Sequence, residues 1–531
     1  MLDIFYNEFY KYKELAAFLE EAQKNYPGFI KVRSLAKTPE ERDVLLAEIT
    51  DSSTGSCESK STYYIQANVH AQEGAGTTAA LHVVRTLLTD DGCKELLRRT
   101  AFYIIPMFNP DGAEYALTTQ GTIRSRNKYV KRRNGLIPKD INGDGRILTM
   151  RWKDSAGPMK EDTVDPRIMV HREDGDVRGP FYQIASEGLI EDYDGTGIAD
   201  GIRSIDFNRN WPVNWKPGPG ASDYPLEEPE MRSVAEFMVS HPNIFAGVDF
   251  HCGCNGILRP SMKPDAEMNQ EDLELIINTG REASRITGFP LIHESDYKES
   301  WKQPTILNGN SNDWAYSALG ISHYVIELGN GFNNSGIATK EYLEADWKTR
   351  ETTFMRRVLS YHDDNDSKLF VPWEKFDHPQ LGEVEIGGLL INNGYYMYPS
   401  TMEKVYSRTT DFVLRHAGMQ PELIITNVQT VRIGEGLFKI HATVGNTGGF
   451  PANVMRGGSL NAKQPVRVAI DLNKGTELLS SPSVFEFSEL GAHGAVAHAE
   501  WFIKSMEYGS ITIKACHPKA GPAIAVVQLK A

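Results

Sequence analysis

The sequence predicts an α/β domain, built on a mixed and mostly parallel sheet flanked by helices, followed by a small all-β, immunoglobulin-like sandwich. From residue 1 to about 365, apolar segments of strand length alternate with amphipathic helical segments, which is typical of a largely buried sheet. From 421 to 531, segments of alternating apolar and polar residues are separated by Gly, Asn and Pro turns, as in antiparallel sheets. The length of 531 residues also favours two or three domains over one.

Four short apolar segments are the predicted core strands of the first domain, because each is rich in β-branched or aromatic residues. They are residues 63–69, 102–107, 244–250 and 324–326. Apolar residues recur at helical spacing in 77–88 and 270–286, which predicts two helices against the sheet. Residues 134–205 interrupt this alternation with a polar stretch rich in Gly and Asp, and we expect them to form an insertion on the surface.

The second part of the chain has two predicted boundaries. Residues 366–420 begin with an acidic, Pro-containing stretch and are expected to connect the domains, with one helix at about 401–417. Ser400 and Glu403 have the spacing of a capping box at the start of that helix. No catalytic grouping of residues is evident in the sandwich at 421–531, so we expect a packing or adhesion module.

The composition argues against several classes of function. With 56 Lys and Arg against 70 Asp and Glu, the net charge of −14 offers no broad cationic surface for nucleic acid or anionic lipid. No run of about 18 apolar residues occurs, so no membrane span is predicted. The five cysteines are scattered and odd in number, which is typical of free thiols rather than of a disulfide framework.

The start of the chain predicts no signal peptide, because no basic segment followed by an apolar one is found there. On this basis the protein is expected to be cytoplasmic if the sequence is its full length. It is expected to be secreted or periplasmic if a leader was removed. The sequence does not indicate an oligomeric state.

A candidate metal site begins at His70-Ala71-Gln72-Glu73, directly after the first predicted core strand. Such sheets place their sites at the carboxyl ends of the strands, and two intervening residues let an imidazole and a carboxylate converge on one ion. His251, at the end of another core strand, is the natural third ligand. Zinc accepts this donor set and keeps a position open for catalysis. Taken alone, the His-x-x-Glu pattern is weak, and a polar strand end is its alternative.

Glu327 ends the last core strand and is the candidate general base. Burial among apolar neighbours would raise its pKa toward the range in which a carboxylate accepts a proton from a water activated by the metal. The alternative is a surface acid or an ion-pair partner. Cys252 and Cys254 lie close enough to His251 in sequence to suggest thiolate ligands, but a single Cys-x-Cys pair has poor spacing for a zinc site.

Together these residues resemble the zinc carboxypeptidase family of the A/B type, over roughly residues 5 to 360. The family's further motifs occur here in the same order, as Asn109-Pro110-Asp111-Gly112, Asp206-Phe207-Asn208-Arg209-Asn210-Trp211, Asp249-Phe250-His251, Asp313-Trp314 and Ile326-Glu327-Leu328. The resemblance implies one zinc per chain, held by His70, Glu73 and His251, with Glu327 as general base.

The resemblance also implies two arginine roles. In the family, an Asn-Arg pair grips the terminal carboxylate of the substrate, and Asn208-Arg209 is similar to it. A guanidinium suits this role because it offers a planar, two-point clamp for a carboxylate. The family's second arginine, which polarises the scissile carbonyl, falls on Arg124. The alternative for this Arg-rich region, which continues with Arg126, is a solvated basic face.

Two positions concern substrate specificity. The family reads the substrate's C-terminal side chain partly through the residue before the Asp-Trp pair, which is Asn312 here. The alternative role of Asn312 is to turn the loop at 308–311. The family's substrate-contacting tyrosine falls on Thr305, which is a departure from the pattern, and Tyr297 is a candidate replacement.

The predicted insertion contains a segment similar to the start of a calcium loop. Asp140, Asn142 and Asp144 alternate, with Gly145 at the sharp turn. The closing position of that pattern is Arg151 rather than an acid, so an EF-hand is excluded and calcium needs a ligand from elsewhere. The alternative is an Asx-rich turn.

The function implied by the resemblance is hydrolysis of the C-terminal bond of peptides or proteins by a water that zinc activates. One alternative is a zinc amidohydrolase or deacylase on the same fold. Another is an inactive relative whose pocket only binds peptide. Retention of all three ligands and of Glu327 favours the peptidase over the inactive relative.

Overall fold

The computed structural model describes residues 2–293, 308–390, 397–452, 455, 464–480, 482–506 and 509–529. An α/β domain with a buried sheet is followed by an all-β sandwich, as the sequence predicts. The α-helices are α1 (Tyr12–Asn25), α2 (Gly74–Thr89), α3 (Lys94–Arg99), α4 (Pro110–Thr119), α5 (Pro229–Ser240), α6 (Gln270–Thr287), α7 (Ser311–Leu319), α8 (Gly331–Asn334), α9 (Thr339–Glu344), α10 (Trp347–Thr349), α11 (Met355–Asp364) and α12 (Glu403–Ala417).

The strands fall into three groups along the chain. Those of the central sheet are β1 (Ile30–Lys37), β2 (Asp43–Ile49), β3 (Ser61–Ala67), β4 (Thr100–Ile105), β14 (Ile244–His251), β15 (Asn255–Arg259), β16 (Leu291–His293) and β17 (Ser322–Leu328). The shorter sheets contain β5 (Arg126–Tyr129), β6 (Gly135–Pro138), β7 (Thr149–Lys153), β8 (Met159–Glu161), β9 (Met169–His171), β10 (Tyr182–Ser186), β11 (Gly188–Glu191), β12 (Ala199–Asp200), β13 (Ile202–Ile205), β18 (Phe370–His378) and β19 (Gly382–Leu389). The sandwich contains β20 (Leu423–Gly434), β21 (Leu437–Asn446), β22 (Val466–Asp471), β23 (Thr476–Leu478), β24 (Val484–Phe487), β25 (Ala495–Ser505), β26 (Ser510–His517) and β27 (Gly521–Gln528).

The central sheet has eight strands in the order β1-β2-β4-β3-β14-β17-β15-β16. The four middle strands β4, β3, β14 and β17 are parallel to one another. The pairs β1–β2, β2–β4 and β17–β15 on the flanks are antiparallel. β3 and β14 are buried along their whole length, as expected for strands covered by helices on both faces. The four predicted core strands correspond to β3, β4, β14 and β17.

Helices cover both faces of this sheet. One face packs against α1, α2, α6 and α12 in a single buried cluster that includes Phe18, Ile276 and Phe412. The other face packs against α5 and α7, which contribute Met231 and Trp314. The helices predicted at 77–88 and 270–286 are α2 and α6, so both predictions are confirmed.

The insertion expected at 134–205 consists largely of short paired strands. β7, β8, β9 and β10 join β18 and β19 in a six-stranded sheet, and β6, β11 and β12 form a three-stranded sheet. A separate buried cluster, which includes Leu136, Met150, Ile190 and Val384, holds these sheets together. Residues 366–420, expected to be a connector with one helix, therefore also supply two strands to this unit.

The helix expected at about 401–417 is α12, but the predicted capping box at its start is wrong. Ser400 lies within a 3₁₀ turn, Pro399–Thr401, and the N-cap residue of α12 is Met402, whose side chain makes no cap hydrogen bond. Proline favours the first position of a helical turn, so the turn begins at Pro399 and Ser400 is already inside it.

The sandwich consists of two four-stranded antiparallel sheets, ordered β20-β21-β25-β23 and β24-β22-β26-β27. Inward-facing residues of both sheets, among them Phe438, Trp501 and Ile513, form one buried cluster. This arrangement agrees with the predicted all-β domain.

No helix in the described part of the chain combines the length and apolar composition needed to cross a membrane.

Candidate functional site

Three adjacent parallel strands end at one edge of the central sheet, and the predicted metal ligands and base lie at that edge. β3 leads into His70 and Glu73, and β14 ends at His251. In the parallel register between β14 and β17, His251 lies beside Glu327. Residues far apart in sequence therefore meet because carboxyl ends of parallel strands share an edge.

His70, Glu73 and His251 form a compact, buried cluster. Nδ1 of His70 lies 2.8 Å from Oε1 of Glu73, and Nδ1 of His251 lies 3.0 Å from Oε2 of the same carboxylate. The two Nδ1 atoms are 3.0 Å apart. One ligand atom from each residue lies within 4.8 Å of the other two, so the three side chains converge on one point.

The donor set of this cluster fits zinc. Two imidazoles and one carboxylate are ligands of catalytic zinc sites, which keep a further position open. Burial lowers the pKa of His251, but the negative charges of Asp249 and Glu73 outweigh burial and raise that pKa well above its usual value. The surroundings of His251 thus favour positive charge at this point, which a divalent cation supplies.

Each histidine of the cluster has a carboxylate at its other ring nitrogen. Nε2 of His70 lies 3.1 Å from Oδ1 of Asp206, and Nε2 of His251 lies 3.0 Å from Oδ2 of Asp249. Such partners fix the tautomer and the ring orientation, so that Nδ1 of each ring faces the cluster and would be the atom that binds a metal. The roles of Asp206 and Asp249 as partners of the histidine rings were not predicted from the sequence. The available signal was the alternation in β14, which directs Asp249 and His251 to the same face of the strand.

Asp249 connects the cluster to α7. Its Oδ2 accepts hydrogen bonds from Nε2 of Gln66 and from Oγ of Ser311, both at 2.7 Å. The backbone N–H of Ser311 donates to Oδ1 of Asn208 at 2.9 Å. The orientation of His251 is therefore linked to the first turn of α7 and to the 3₁₀ turn Phe207–Arg209.

Arg124 and Arg209, the two predicted substrate-binding arginines, both lie beside Asp206. Nε of Arg124 lies 3.2 Å from Oδ2 of Asp206, and its Nη1 lies 3.4 Å from Oε1 of Glu73. Nη1 of Arg209 lies 4.0 Å from Oδ2 of Asp206 and donates to the carbonyl of Asn208 at 2.7 Å. Burial raises the pKa of Asp206, but Arg209, His70 and Arg124 hold it well below its usual range.

The neighbouring arginine Arg126 has a structural role instead. It forms ion pairs with Glu228 and Glu230, and its guanidinium lies 5.3 Å from the centre of the Phe207 ring. The alternative of a solvated basic face is therefore wrong for this residue. Its contacts support the turn that carries Asn208 and Arg209.

Glu327 is 5% exposed, and its strand lies between β14 and β15. It is opposite His251 on one side and Gly256 on the other. The alternative of a surface acid is excluded by this burial. A carboxylate at this position lies at the same sheet edge as the metal ligands.

The thiolate alternative at Cys252 and Cys254 is also disfavoured. Both side chains are buried, and burial raises the pKa of each thiol well above its usual value. The negative charge of Glu327 acts in the same direction. Neither sulfur belongs to the cluster of potential ligand atoms that the described residues His70, Glu73 and His251 form.

Asn312 is fully buried in the first turn of α7, beside the equally buried Asp313. Asp313 accepts hydrogen bonds from Oγ of Ser261 at 2.8 Å and from Nδ2 of Asn214 at 2.5 Å. The helical position of Asn312 argues against a role in turning the loop at 308–311. Thr305 and its candidate replacement Tyr297 lie outside the described residues.

The segment at 140–145 forms an Asx-rich turn, and nothing in its contacts supports calcium. Both carboxylate oxygens of Asp140 accept from backbone N–H groups, those of Gly143 and Gly145, and Oδ1 of Asn142 accepts from the N–H of Asp144. Asp144 also forms an ion pair with Arg146. The turn's own backbone satisfies these side chains, which supports the Asx-rich turn rather than a calcium site.

We expect Asp206→Asn to weaken zinc binding about 10- to 100-fold, because the amide removes the charged partner of His70 Nε2. Zinc affinity is measured by competition with a chromogenic chelator. Asp223→Asn is the matched control, because Asp223 is exposed and pairs with Arg203 rather than with a histidine of the cluster. Equal zinc affinity in Asp206→Asn and the parent would contradict the proposed role of Asp206.

Comparison with known proteins agrees with this geometry. A family model described as zinc carboxypeptidase matches residues 15–353, and a domain of unknown function matches residues 422–528. The chain belongs to the zinc carboxypeptidase family. That family uses zinc, and the fold observed here is the one expected from the resemblance.

Individual relatives are distant. Carboxypeptidase A6 of Mus musculus is 23% identical over 329 residues, which cover 59% of this chain and 58% of the mouse protein. The inactive metallocarboxypeptidase ECM14 of Saccharomyces cerevisiae is 27% identical over 117 residues, which cover 21% of this chain and 27% of the yeast protein. Among solved structures, the carboxypeptidase A from Helicoverpa armigera superposes with a TM-score of 0.43 at 15% identity, covering 78% of this chain and 74% of the insect chain.

Proposed function

We propose that this protein is a zinc metallocarboxypeptidase that removes the C-terminal residue of peptides or proteins. The observation that carries the proposal is the convergence of His70, Glu73 and His251, beside Glu327, at one buried sheet edge. Family membership supports the same conclusion. The presence of every ligand and of the base favours an active enzyme over an inactive relative.

The described residues supply the parts of a hydrolytic mechanism. His70, Glu73 and His251 would hold the zinc ion, which would polarise the scissile carbonyl and lower the pKa of a water molecule. Glu327 accepts a proton from the attacking water and then gives it to the nitrogen of the departing amino acid. The water oxygen bonds to the carbonyl carbon and the C–N bond breaks, which yields a shortened peptide and a free amino acid.

Arg124 is suited to stabilise the oxyanion that develops on the scissile carbonyl. Its contacts with Asp206 and Glu73 hold the guanidinium next to the ligand cluster. A preorganised donor at such a position contributes about 3 kcal/mol to transition-state stabilisation. Asn208 and Arg209 are suited to grip the terminal carboxylate, which would select chain ends and make the enzyme an exopeptidase.

Free and amidated peptides test this proposal. Two charge-assisted hydrogen bonds to a terminal carboxylate correspond to a preference for free peptides of about 100-fold in kcat/KM. Arg209→Met should remove most of that preference. Arg203→Met is the matched control, because Arg203 pairs with the exposed Asp223. Equal cleavage of free and amidated peptides by the parent would move the protein to the endopeptidases or to the amidohydrolases.

Asn312 leads to a prediction about the preferred C-terminal residue. Asn312 is buried at the position where the family reads the C-terminal side chain of the substrate, and a polar amide there suits small or polar side chains better than large aromatic ones, so we expect small or polar residues to be preferred. Asn312→Ile should shift the preference toward apolar residues about tenfold. The measurement is kcat/KM for peptides ending in Phe, Leu, Lys, Glu, Asn and Ala. A parent that already favours Phe tenfold, with no change in Asn312→Ile, would contradict it.

A further inference from the structure

A lysine of the β-sandwich is buried against the catalytic domain. Lys519 lies between β26 and β27 and is 3% exposed. Its Nζ donates to the carbonyl of Ile244 at 2.7 Å and lies 3.4 Å from the carbonyl of Gly320. The carbonyl of Lys519 in turn accepts a hydrogen bond from Oγ of Ser61.

These three contacts meet the amino ends of the three strands that lead to the candidate site. Ser61 begins β3, which leads to His70 and Glu73, and Ile244 begins β14, which ends at His251. Gly320 lies between α7, which carries Asn312, and β17, which carries Glu327. A single residue of the sandwich therefore contacts the starting points of all the elements that hold the ligands and the base.

Lys519 is a buried lysine whose ammonium group is held by backbone carbonyls rather than by a carboxylate. Burial lowers its pKa to about 7, because an ammonium group loses its hydration in the interior. In the part of the chain that the structure describes, Lys519 forms no ion pair with a carboxylate. The two carbonyls are its recorded acceptors, and Gly320 caps the carboxyl end of α7, where the helix dipole favours a cation.

Aromatic contacts strengthen the same interface. Phe450 of the sandwich is 2% exposed and packs against Phe245, the second residue of β14, with ring centroids 5.5 Å apart. Phe450 also contacts His416 of α12 at 5.5 Å, and His416 lies 2.8 Å from the hydroxyl of Tyr63 in β3. The sandwich is thus packed onto the beginnings of β3 and β14 rather than joined by a linker alone.

We propose that the β-sandwich stabilises the arrangement of the strands in the catalytic sheet. Lys519 is a positioning residue that aligns β3, β14 and β17, so that their far ends hold the ligands and Glu327 in reactive geometry. The proposal rests on the proposed peptidase function. β14 is roughly 23 Å long at about 3.3 Å per residue, so Lys519 acts through the strand and not by contact with substrate. A misplacement of about 1 Å at the far end is sufficient to slow the reaction by as much as about 100-fold.

The test compares Lys519→Met and Lys519→Arg in the full chain. Methionine keeps the length of the side chain but donates no hydrogen bond, and arginine keeps the charge and the donors. We expect Lys519→Met to lower kcat about tenfold, measured per zinc-loaded folded molecule, with KM changed less than about twofold. Lys519→Arg should recover part of the loss. Lys514→Met is the matched control, because Lys514 is half exposed and pairs with Asp471 on the sandwich surface.

A residue that only stabilises the fold would lower the melting temperature and leave kcat per folded molecule unchanged, and this result in Lys519→Met would overturn the proposal. If Lys519→Met does not fold, Ser61→Ala replaces it, because that change removes only the hydroxyl that donates to the sandwich carbonyls of Lys519 and Pro421. A drop in kcat of about threefold is then expected. An unchanged kcat would contradict the proposal that the sandwich positions the catalytic strands. An inactive parent protein would instead refute the proposed function itself.

Discussion

Replacing Glu327 by glutamine is expected to lower kcat about a thousandfold while leaving the zinc content at one ion per chain. The amide has the size of the carboxylate but cannot accept the proton of the attacking water, and positioned general bases contribute about 10²- to 10⁴-fold. Glu327 lies beside His251 without belonging to the ligand cluster, so its replacement spares the donor set. The measurements are kcat on a good peptide substrate and zinc by atomic absorption.

Peptide binding provides the control for this variant. Glu327→Gln should bind substrate with a dissociation constant near that of the parent, because the arginine contacts are unchanged. Glu341→Gln is a matched surface substitution for which no change is expected, since Glu341 lies on the exposed face of α9. Activity of Glu327→Gln within a few-fold of the parent would rule out this base.

Loss of either histidine ligand is expected to remove the zinc almost completely. His70→Ala and His251→Ala each delete one of three donors and also leave a carboxylate, Asp206 or Asp249, without its ring partner. Two remaining ligands do not make a tight catalytic zinc site. Both variants should contain less than about a tenth of the parent's zinc after dialysis, as measured by metal analysis.

His82→Ala is the control for the loss of a buried histidine. His82 lies on α2, and its Nδ1 is 2.8 Å from the hydroxyl of Thr410 on α12, away from the cluster. This variant should keep its zinc even if its stability falls. Full zinc in both His70→Ala and His251→Ala would show that the ligand cluster has been identified wrongly.

The central sheet and the ligand cluster could be predicted because short sequence patterns indicate the strands and the residues that follow them. β3 and β14 are mostly apolar segments that are buried along their whole length, and parallel topology brings their carboxyl ends to one edge. His70, Glu73 and His251 follow those segments directly, so the sequence order already implied their meeting. Glu327 was predictable for the same reason, because β17 is as apolar as its neighbours.

The features that could not be predicted depend on contacts between residues that are far apart in the sequence. The strand at 382–389 pairs with β7 of the insertion, and no local pattern indicates a partner more than 200 residues away. Asp206 and Asp249 were visible in motifs, but their roles depend on which ring nitrogen faces them. The link between Lys519 and the strand ends depends on domain packing, which composition and periodicity do not specify.

The most direct test of the central claim is the release of free amino acids from a mixed panel of unmodified peptides, followed before zinc removal, after zinc removal, and after zinc is restored. We predict release of the C-terminal residue by the zinc-loaded protein, loss of that activity after treatment with a chelator, and recovery when one equivalent of zinc is added. Release that persists unchanged in the zinc-free protein, or no release from any peptide by the fully loaded protein, would contradict the assignment.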